Sequence, residues 1–236
     1  MFPPYYLILV VIPFALCLLA SWRTKSVFNK YSRLTTSRRL TGAQVAQGIL
    51  DRNNISNVRI EQVGGFLSDH YDPKAKVLRL SPDVYNGYSM AAVGVAAHEV
   101  GHAIQDAKHY SLLVARTGLV PLQYFGSNVG IYMIFGSMML GGVSTAVGAP
   151  LAWIGLALFS LGTLFTFITL PVEFDASRRA LETLRTGGFV SPEELGGARQ
   201  VLSAAAMTYV AAAVASLASL LYYAIQLGLI GRSRDE

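Results

Sequence analysis

Residues 89–108 read SMAAVGVAAHEVGHAIQDAK, and the setting this stretch requires decides the fold. Ser89 stands ahead of an Ala- and Val-rich run, where a hydroxyl caps the open N–H groups of a helix start. The helix is predicted to run to about Lys108. Its apolar content would suit a membrane, but His98, Glu99, His102, Gln105 and Asp106 interrupt it. In hydrocarbon each of those groups would need a partner that lipid does not supply. A buried helix in a domain outside the bilayer is the economical reading.

Outward from this helix the chain turns hydrophobic. Of its 236 residues 53% are hydrophobic and only 14% charged, against about 25% charged in an average soluble protein. Residues 5–22, 118–140, 149–172 and 204–230 contain no Asp, Glu, Lys or Arg. Each can cross a hydrocarbon core that needs about 20 residues, although Pro121, Gln123, Asn128 and several glycines interrupt the second. The expected fold is a mainly α membrane protein of about four transmembrane helices bearing a small α+β domain. It divides into an anchor over 1–22, the domain with the 89–108 helix over 23–117 and a transmembrane hairpin over 118–172. Returning helices over 173–203 and a last transmembrane helix with a short tail over 204–236 complete it. The first run is read as a retained anchor rather than a signal peptide, since Met1–Tyr6 carries no Lys or Arg and the basic Arg23 and Lys25 follow the run. The single cysteine, Cys17, excludes an intrachain disulfide and reads as a small hydrophobe.

Net charge is +5, and its placement orients the chain: of 19 Lys and Arg, 13 lie in 23–116, four in 178–199, two after 231 and none in 141–148. Positive charge held on the cytoplasmic side puts 23–116 and 173–203 inside and both termini outside, with Arg232 and Arg234 as a mild violation. The basic stretch Arg23–Arg39 suits anionic lipid head groups, and no nucleic-acid-binding module accompanies it. Spans free of charge lack the markers of an ion relay or transporter. Small residues recur at helical spacing in Gly126/Gly130 and in Ala211/Ala215/Ser219. Such faces serve helix packing within the chain, or homo-oligomer formation.

Within the domain, Thr41 caps a predicted helix to Arg52, with Val45, Ala46, Ile49 and Leu50 on one face. Alternation around Val58, Ile60 and Val63, a turn at Gly64-Gly65, an extended Phe66–His70 and a run Val77–Leu80 suggest a sheet of two or three strands. Pro171–Arg185 reads as a helix that stops at Gly187-Gly188, and Ser191-Pro192-Glu193-Glu194 opens another.

Residues 98–102, His-Glu-Val-Gly-His, carry the chemistry. Histidines at i and i+4 project from one helix face, so both imidazoles can reach one Zn²⁺ at about 2.0–2.1 Å. Glu99 lies one step round, placed to act on a metal-bound water without being a ligand. Zinc lowers that water's pKa towards ~7, and the carboxylate takes its proton and passes it to the leaving amine. The bland alternative is a pair of hydrogen-bonded core histidines with Glu99 on a solvated face. Against it, His98, His102 and His109 cluster in an otherwise apolar helix. Gly101 costs helix propensity, which points to close packing there. A catalytic zinc needs a third ligand, sought among His70, His109 and the acids. Two spans separate His102 from Glu173, which returns Glu173 to the same side at the end of an apolar run, an expensive place for a carboxylate. Glu173 is therefore chosen; its alternative is an acid favoured by a helix N-terminus. Asp106 and Asp175 are candidates to orient a histidine through its other ring nitrogen, or else ordinary surface or capping acids.

HEVGHAIQDA together with LPVEFDASRRAL resembles the YugP-type membrane zinc metallopeptidases of bacteria, over nearly the whole chain and including FLSDHYDP. More distantly it resembles the HtpX-type and CAAX prenyl gluzincin peptidases, where a later Glu-x-x-Ala-Asp segment completes the site. The resemblance implies His98, His102 and Glu173 as ligands of one Zn²⁺ per chain, with no other cofactor, and Glu99 as base. Ala176 matches the motif's alanine, but Ser177 stands where that wider group has aspartate, so the orienting role does not transfer directly. It further implies that an edge strand, here Phe66–His70, holds the substrate backbone. His70 would then polarise the scissile carbonyl or hold the oxyanion, or be a turn histidine bonded to nearby backbone; Tyr71, Tyr85 and Tyr88 are further donors.

The function expected is a zinc-dependent endopeptidase of the bacterial cytoplasmic membrane. It would be multi-pass, with its active site facing the cytoplasm, and act on membrane or membrane-proximal proteins and peptides. The rivals are a non-catalytic adaptor with a structural zinc, which would not need Glu99, and a site-2-type intramembrane protease, which would add an Asp-Gly motif that this chain lacks.

Overall fold

The computed structural model describes residues 4–230; Arg232 and Arg234 lie outside them. It is mainly helical with one small sheet. The long helices are α1 (Pro4–Ser32, with a π-helical turn at Leu7–Val11), α5 (Ser111–Met139), α6 (Gly148–Thr186) and α7 (Pro192–Gln226). Between α1 and α5 lie α2 (Gly42–Arg52), β1 (Arg59–Gln62), β2 (His70–Asp72), β3 (Val77–Leu80), α3 (Pro82–Tyr85) and α4 (Met90–Ala107).

Two compact units emerge. The first holds the described residues up to Leu19, Ala115–Leu170 and the described residues from Tyr209 to Ile230. Among the described residues three helices, α1, α6 and α7, are long and apolar enough to cross a membrane. The remaining predicted span is helical within α5, but Gln123, Asn128 and its glycines dilute its apolar character. Gly126 and Gly130 let α5 lie directly on α6. A Cβ at Gly126 would sit 2.7 Å from the Leu158 carbonyl oxygen, and one at Gly130 2.7 Å from that of Gly155. That small-residue face thus serves packing within the chain. A Ser216–Thr163 hydroxyl bond of 2.9 Å ties α7 to α6, while Phe125, Tyr132, Trp153 and Leu164 face outward.

The second unit comprises Ala20–Val114 and Pro171–Thr208. Thr41 caps α2 in a reciprocal box with Gln44, and Val45, Ala46, Ile49 and Leu50 are buried as their spacing predicts. The sheet runs in the order β1-β3-β2, β1 parallel and β2 antiparallel to β3. Val77 and Leu78 break alternation because β3 is the central strand; Val77, Leu78 and Leu80 are all buried. The edge strand departs from the expected Phe66–His70: it begins at His70 and runs to Asp72. Gly65 (φ 111°) and Leu67 (φ 53°) turn the preceding residues, and Asp69 anchors the loop by accepting from the Ser81 amide and hydroxyl at 2.7 and 3.0 Å. Burial raises the Asp69 pKa, against the lowering effect of those bonds.

Helix α4 occupies the core of this unit, its N-terminus capped by Ser89 accepting from the Ala92 amide. Helix α6 continues unbroken through Pro171 and ends at Thr186, where Gly188 adopts a left-handed conformation (φ 62°). The predicted helix opening at Ser191 and the last predicted span are one continuous helix, α7.

Candidate metal centre

Helix α4 presents His98 and His102 one turn apart, their ring centroids separated by 4.8 Å and tilted at 83°. Glu173 arrives from α6. Its Oε2 lies 3.1 Å from His98 Nε2 and 3.5 Å from His102 Nε2. The helices come this close because residue 101 has no side chain: a Cβ there would lie 2.5 Å from the Ala176 carbonyl oxygen. The close packing inferred at Gly101 is thus the contact that brings the two helices' polar groups together.

Among the described residues, His98, His102 and Glu173 form the one cluster of three potential metal-ligating groups, their ligand atoms within 4.8 Å of one another. A tetrahedral zinc with bonds of about 2.0–2.1 Å sets its ligand atoms about 3.3 Å apart. The observed 3.1 and 3.5 Å straddle that value, so Glu173 stands at ligand spacing from both histidines. Two imidazoles and one carboxylate also make the three-ligand set that leaves a position open. Glu173 and His102 are buried, as is Glu99. Burial pushes the Glu173 carboxyl up, but the hydrogen bonds and charges of His102 and His98 outweigh it and hold the group well below the usual carboxylate range.

Outside the three donors, each histidine has a partner on its second ring nitrogen. His102 Nδ1 lies 3.0 Å from Gln105 Oε1, and Gln105 Nε2 donates to the Val172 carbonyl at 2.8 Å and to Asp175 Oδ2 at 2.9 Å. His98 Nδ1 lies 3.2 Å from the Ser177 hydroxyl. Asp175 therefore reaches a histidine through Gln105, and Ser177, which stands in place of the wider group's aspartate, touches one directly. Sequence reasoning passed over Gln105 as a candidate, although it sits three residues after His102 on the same helix face.

The other candidates lie elsewhere. Asp106 accepts from the Tyr71 hydroxyl and from Lys76 Nζ, both at 2.5 Å, which ties β2 and the turn before β3 to α4. Burial and the bond to Asp106 push the Tyr71 phenol well above its ordinary pKa. His70 is exposed on β2, its Nδ1 2.8 Å from the Ser68 carbonyl and its Nε2 3.4 Å from Arg79. His109, just past the end of α4, adopts φ 51° and is exposed.

Residues 6–228 match the family model described as "Putative neutral zinc metallopeptidase". The chain is 43% identical over 230 residues to the "Putative membrane protease YugP" of Bacillus subtilis (strain 168), covering 98% of this chain and 99% of that one. No solved structure matches. With a His-His-Glu cluster that is largely buried and a match running almost end to end, the chain belongs to this neutral zinc metallopeptidase family.

Proposed function

We propose that the protein is a membrane-bound zinc endopeptidase of gluzincin type. The observation that carries this is the convergence of Glu173 Oε2 on the Nε2 atoms of His98 and His102, at 3.1 and 3.5 Å. His98, His102 and Glu173 hold one zinc per chain. When bound, zinc supplies a Lewis acid that brings the pKa of a water towards ~7 and polarises the scissile carbonyl. Glu99, beside His98 on α4, takes the proton of the attacking water and delivers it to the leaving amine. Among the described residues strand β2 pairs only with β3, which leaves its other edge for an extended peptide by strand addition.

The membrane part is read as four spans. Three are long and apolar by length and composition, and α5 is the fourth, its Phe125, Tyr132 and Phe135 facing outward while its glycines pack on α6. The positive-inside distribution puts the zinc-binding domain in the cytoplasm of a bacterial cell. Trp22, Lys25 and Lys30 lie along one side of α1, with Arg33 just past its end, a pattern suited to anionic head groups. Substrates are then membrane proteins or their juxtamembrane segments.

The test is zinc content and casein cleavage of the detergent-purified protein beside Glu99→Gln and Glu173→Ala. The expected result is about one zinc in the parent and in an inactive Glu99→Gln, with zinc lost from Glu173→Ala. An active Glu99→Gln would sink the protease mechanism and favour a structural zinc in an adaptor. Zinc retained by Glu173→Ala would move the third ligand elsewhere.

A further inference from the structure

Gln105 is completely buried, and its surroundings leave its amide one orientation. Its nitrogen faces the Val172 carbonyl at 2.8 Å and Asp175 Oδ2 at 2.9 Å. A backbone carbonyl can only accept. Asp175 is kept as a carboxylate by ion pairs with Arg178 and Arg179, so it too can only accept. Flipping the amide would set its oxygen against two acceptors in a dry site, at the cost of both bonds. The oxygen must therefore face His102, where it lies 3.0 Å from Nδ1.

A carbonyl oxygen cannot donate, so His102 Nδ1 carries the hydrogen. Without a metal, Nε2 faces the Glu173 carboxylate at 3.5 Å as a donor; in the neutral imidazole that a metal ligand must be, the lone pair then sits on Nε2. We infer that Gln105 is a positioning residue: read out from α6, it fixes the tautomer of His102 and aims its Nε2 lone pair at the metal position. The inference rests on the zinc reading of the same site.

Two consequences distinguish this from a simple packing role. The backbone group that orients Gln105 belongs to Val172, the residue before Glu173. The seating of Glu173 and the presentation of His102 are thereby coupled through one amide. The two histidines also differ. His98 Nδ1 meets the Ser177 hydroxyl at 3.2 Å, and a hydroxyl can donate or accept, so it does not select a tautomer. His102 is the pre-set ligand and His98 the adaptable one.

The experiment uses the full chain in detergent, stripped of metal. Zinc is titrated against a competing chelator for the parent, Gln105→Leu and Gln105→Glu, with thermal melting of each zinc-free protein. Nitrogen-15 shifts of labelled histidine are read on the parent. Gln105→Leu removes the acceptor and is expected to weaken zinc about 10- to 100-fold, the usual effect of losing such a partner. Gln105→Glu keeps an acceptor opposite Nδ1 but sets its second oxygen against the Val172 carbonyl and Asp175, so the zinc-free protein is expected to melt lower while zinc affinity stays within about threefold of the parent. Parent affinity in Gln105→Leu overturns the inference while leaving the metal site standing. A Gln105→Glu as weak as Gln105→Leu overturns it as well, because then only the tie to α6 mattered. If Gln105→Leu does not fold, the nitrogen shifts decide: a His102 without hydrogen on Nδ1 refutes the assignment. A parent that binds no zinc removes the metal reading and this inference together.

Discussion

Replacing Gly101 with alanine sets two effects of opposite sign against each other. In mid-helix, alanine is favoured over glycine by about 1 kcal/mol, so local propensity predicts a more stable protein. The contact with α6 predicts the reverse. The new Cβ would lie 2.5 Å from the Ala176 carbonyl oxygen, and relief to the 3.4 Å of ordinary contact requires a shift of about 0.9 Å between α4 and α6. Backbone on both sides leaves no flexible side chain to yield. Overpacking of this kind costs about 1–3 kcal/mol, so the net change is a loss of roughly 0–2 kcal/mol.

The functional effect should be larger. Ala176 lies three residues after Glu173 on the same helix, so the shift is transmitted to the carboxylate. Contacts of 3.1 and 3.5 Å would lengthen towards 4 Å or more, where about 3.3 Å is wanted. Zinc affinity is expected to fall at least tenfold, and cleavage by about 100-fold, the scale on which a 1 Å misplacement acts. Chelator competition, casein cleavage and thermal melting of the zinc-free protein measure all three. A Gly101→Ala protein that melts higher and binds zinc like the parent would refute the argument, since propensity alone would then have decided the outcome.

Stripping the metal with a chelator should abolish casein cleavage, and zinc, but not magnesium, should restore it, because two imidazoles suit zinc while magnesium prefers oxygen ligands. Restoration by magnesium would count against the donor set. Ser177→Asp offers His98 Nδ1 a carboxylate in place of a hydroxyl and should tighten zinc by roughly tenfold; unchanged affinity would mean that His98 is already fully oriented. Tyr71→Phe leaves Asp106 without its 2.5 Å phenol donor and should cost about 1–2 kcal/mol in melting experiments while sparing zinc affinity. A loss of zinc there would give β2 a role in the metal centre. Thr41→Ala dismantles the capping box of α2 and should cost about 1 kcal/mol, with no effect on zinc.

The parts of this protein legible in its residues are those that local chemistry dictates. Thr41 and Ser89 start helices because their hydroxyls satisfy open amides, and Gly188 ends one because it tolerates a positive φ. The spacing of His98 and His102 suffices to put both on one helix face, and charge-free stretches suffice to mark apolar helices. Glu173 was reachable too, because an acid at the end of an apolar run needs a reason. The small strand was misplaced by a few residues, since where Phe66–His70 turns depends on Asp69 reaching Ser81, twelve residues away. The roles of Asp106, Gln105 and Ser177 were hidden for the same cause. Nothing local tells Asp106 to face Tyr71 and Lys76 rather than a histidine, or Gln105 to reach Val172 and Asp175. The helices and the shared face of His98 and His102 follow from interactions within a few residues, so sequence alone determined them. Which second-ring nitrogen each partner meets depends on how closely α4 and α6 approach at Gly101, and only the tertiary packing could decide that.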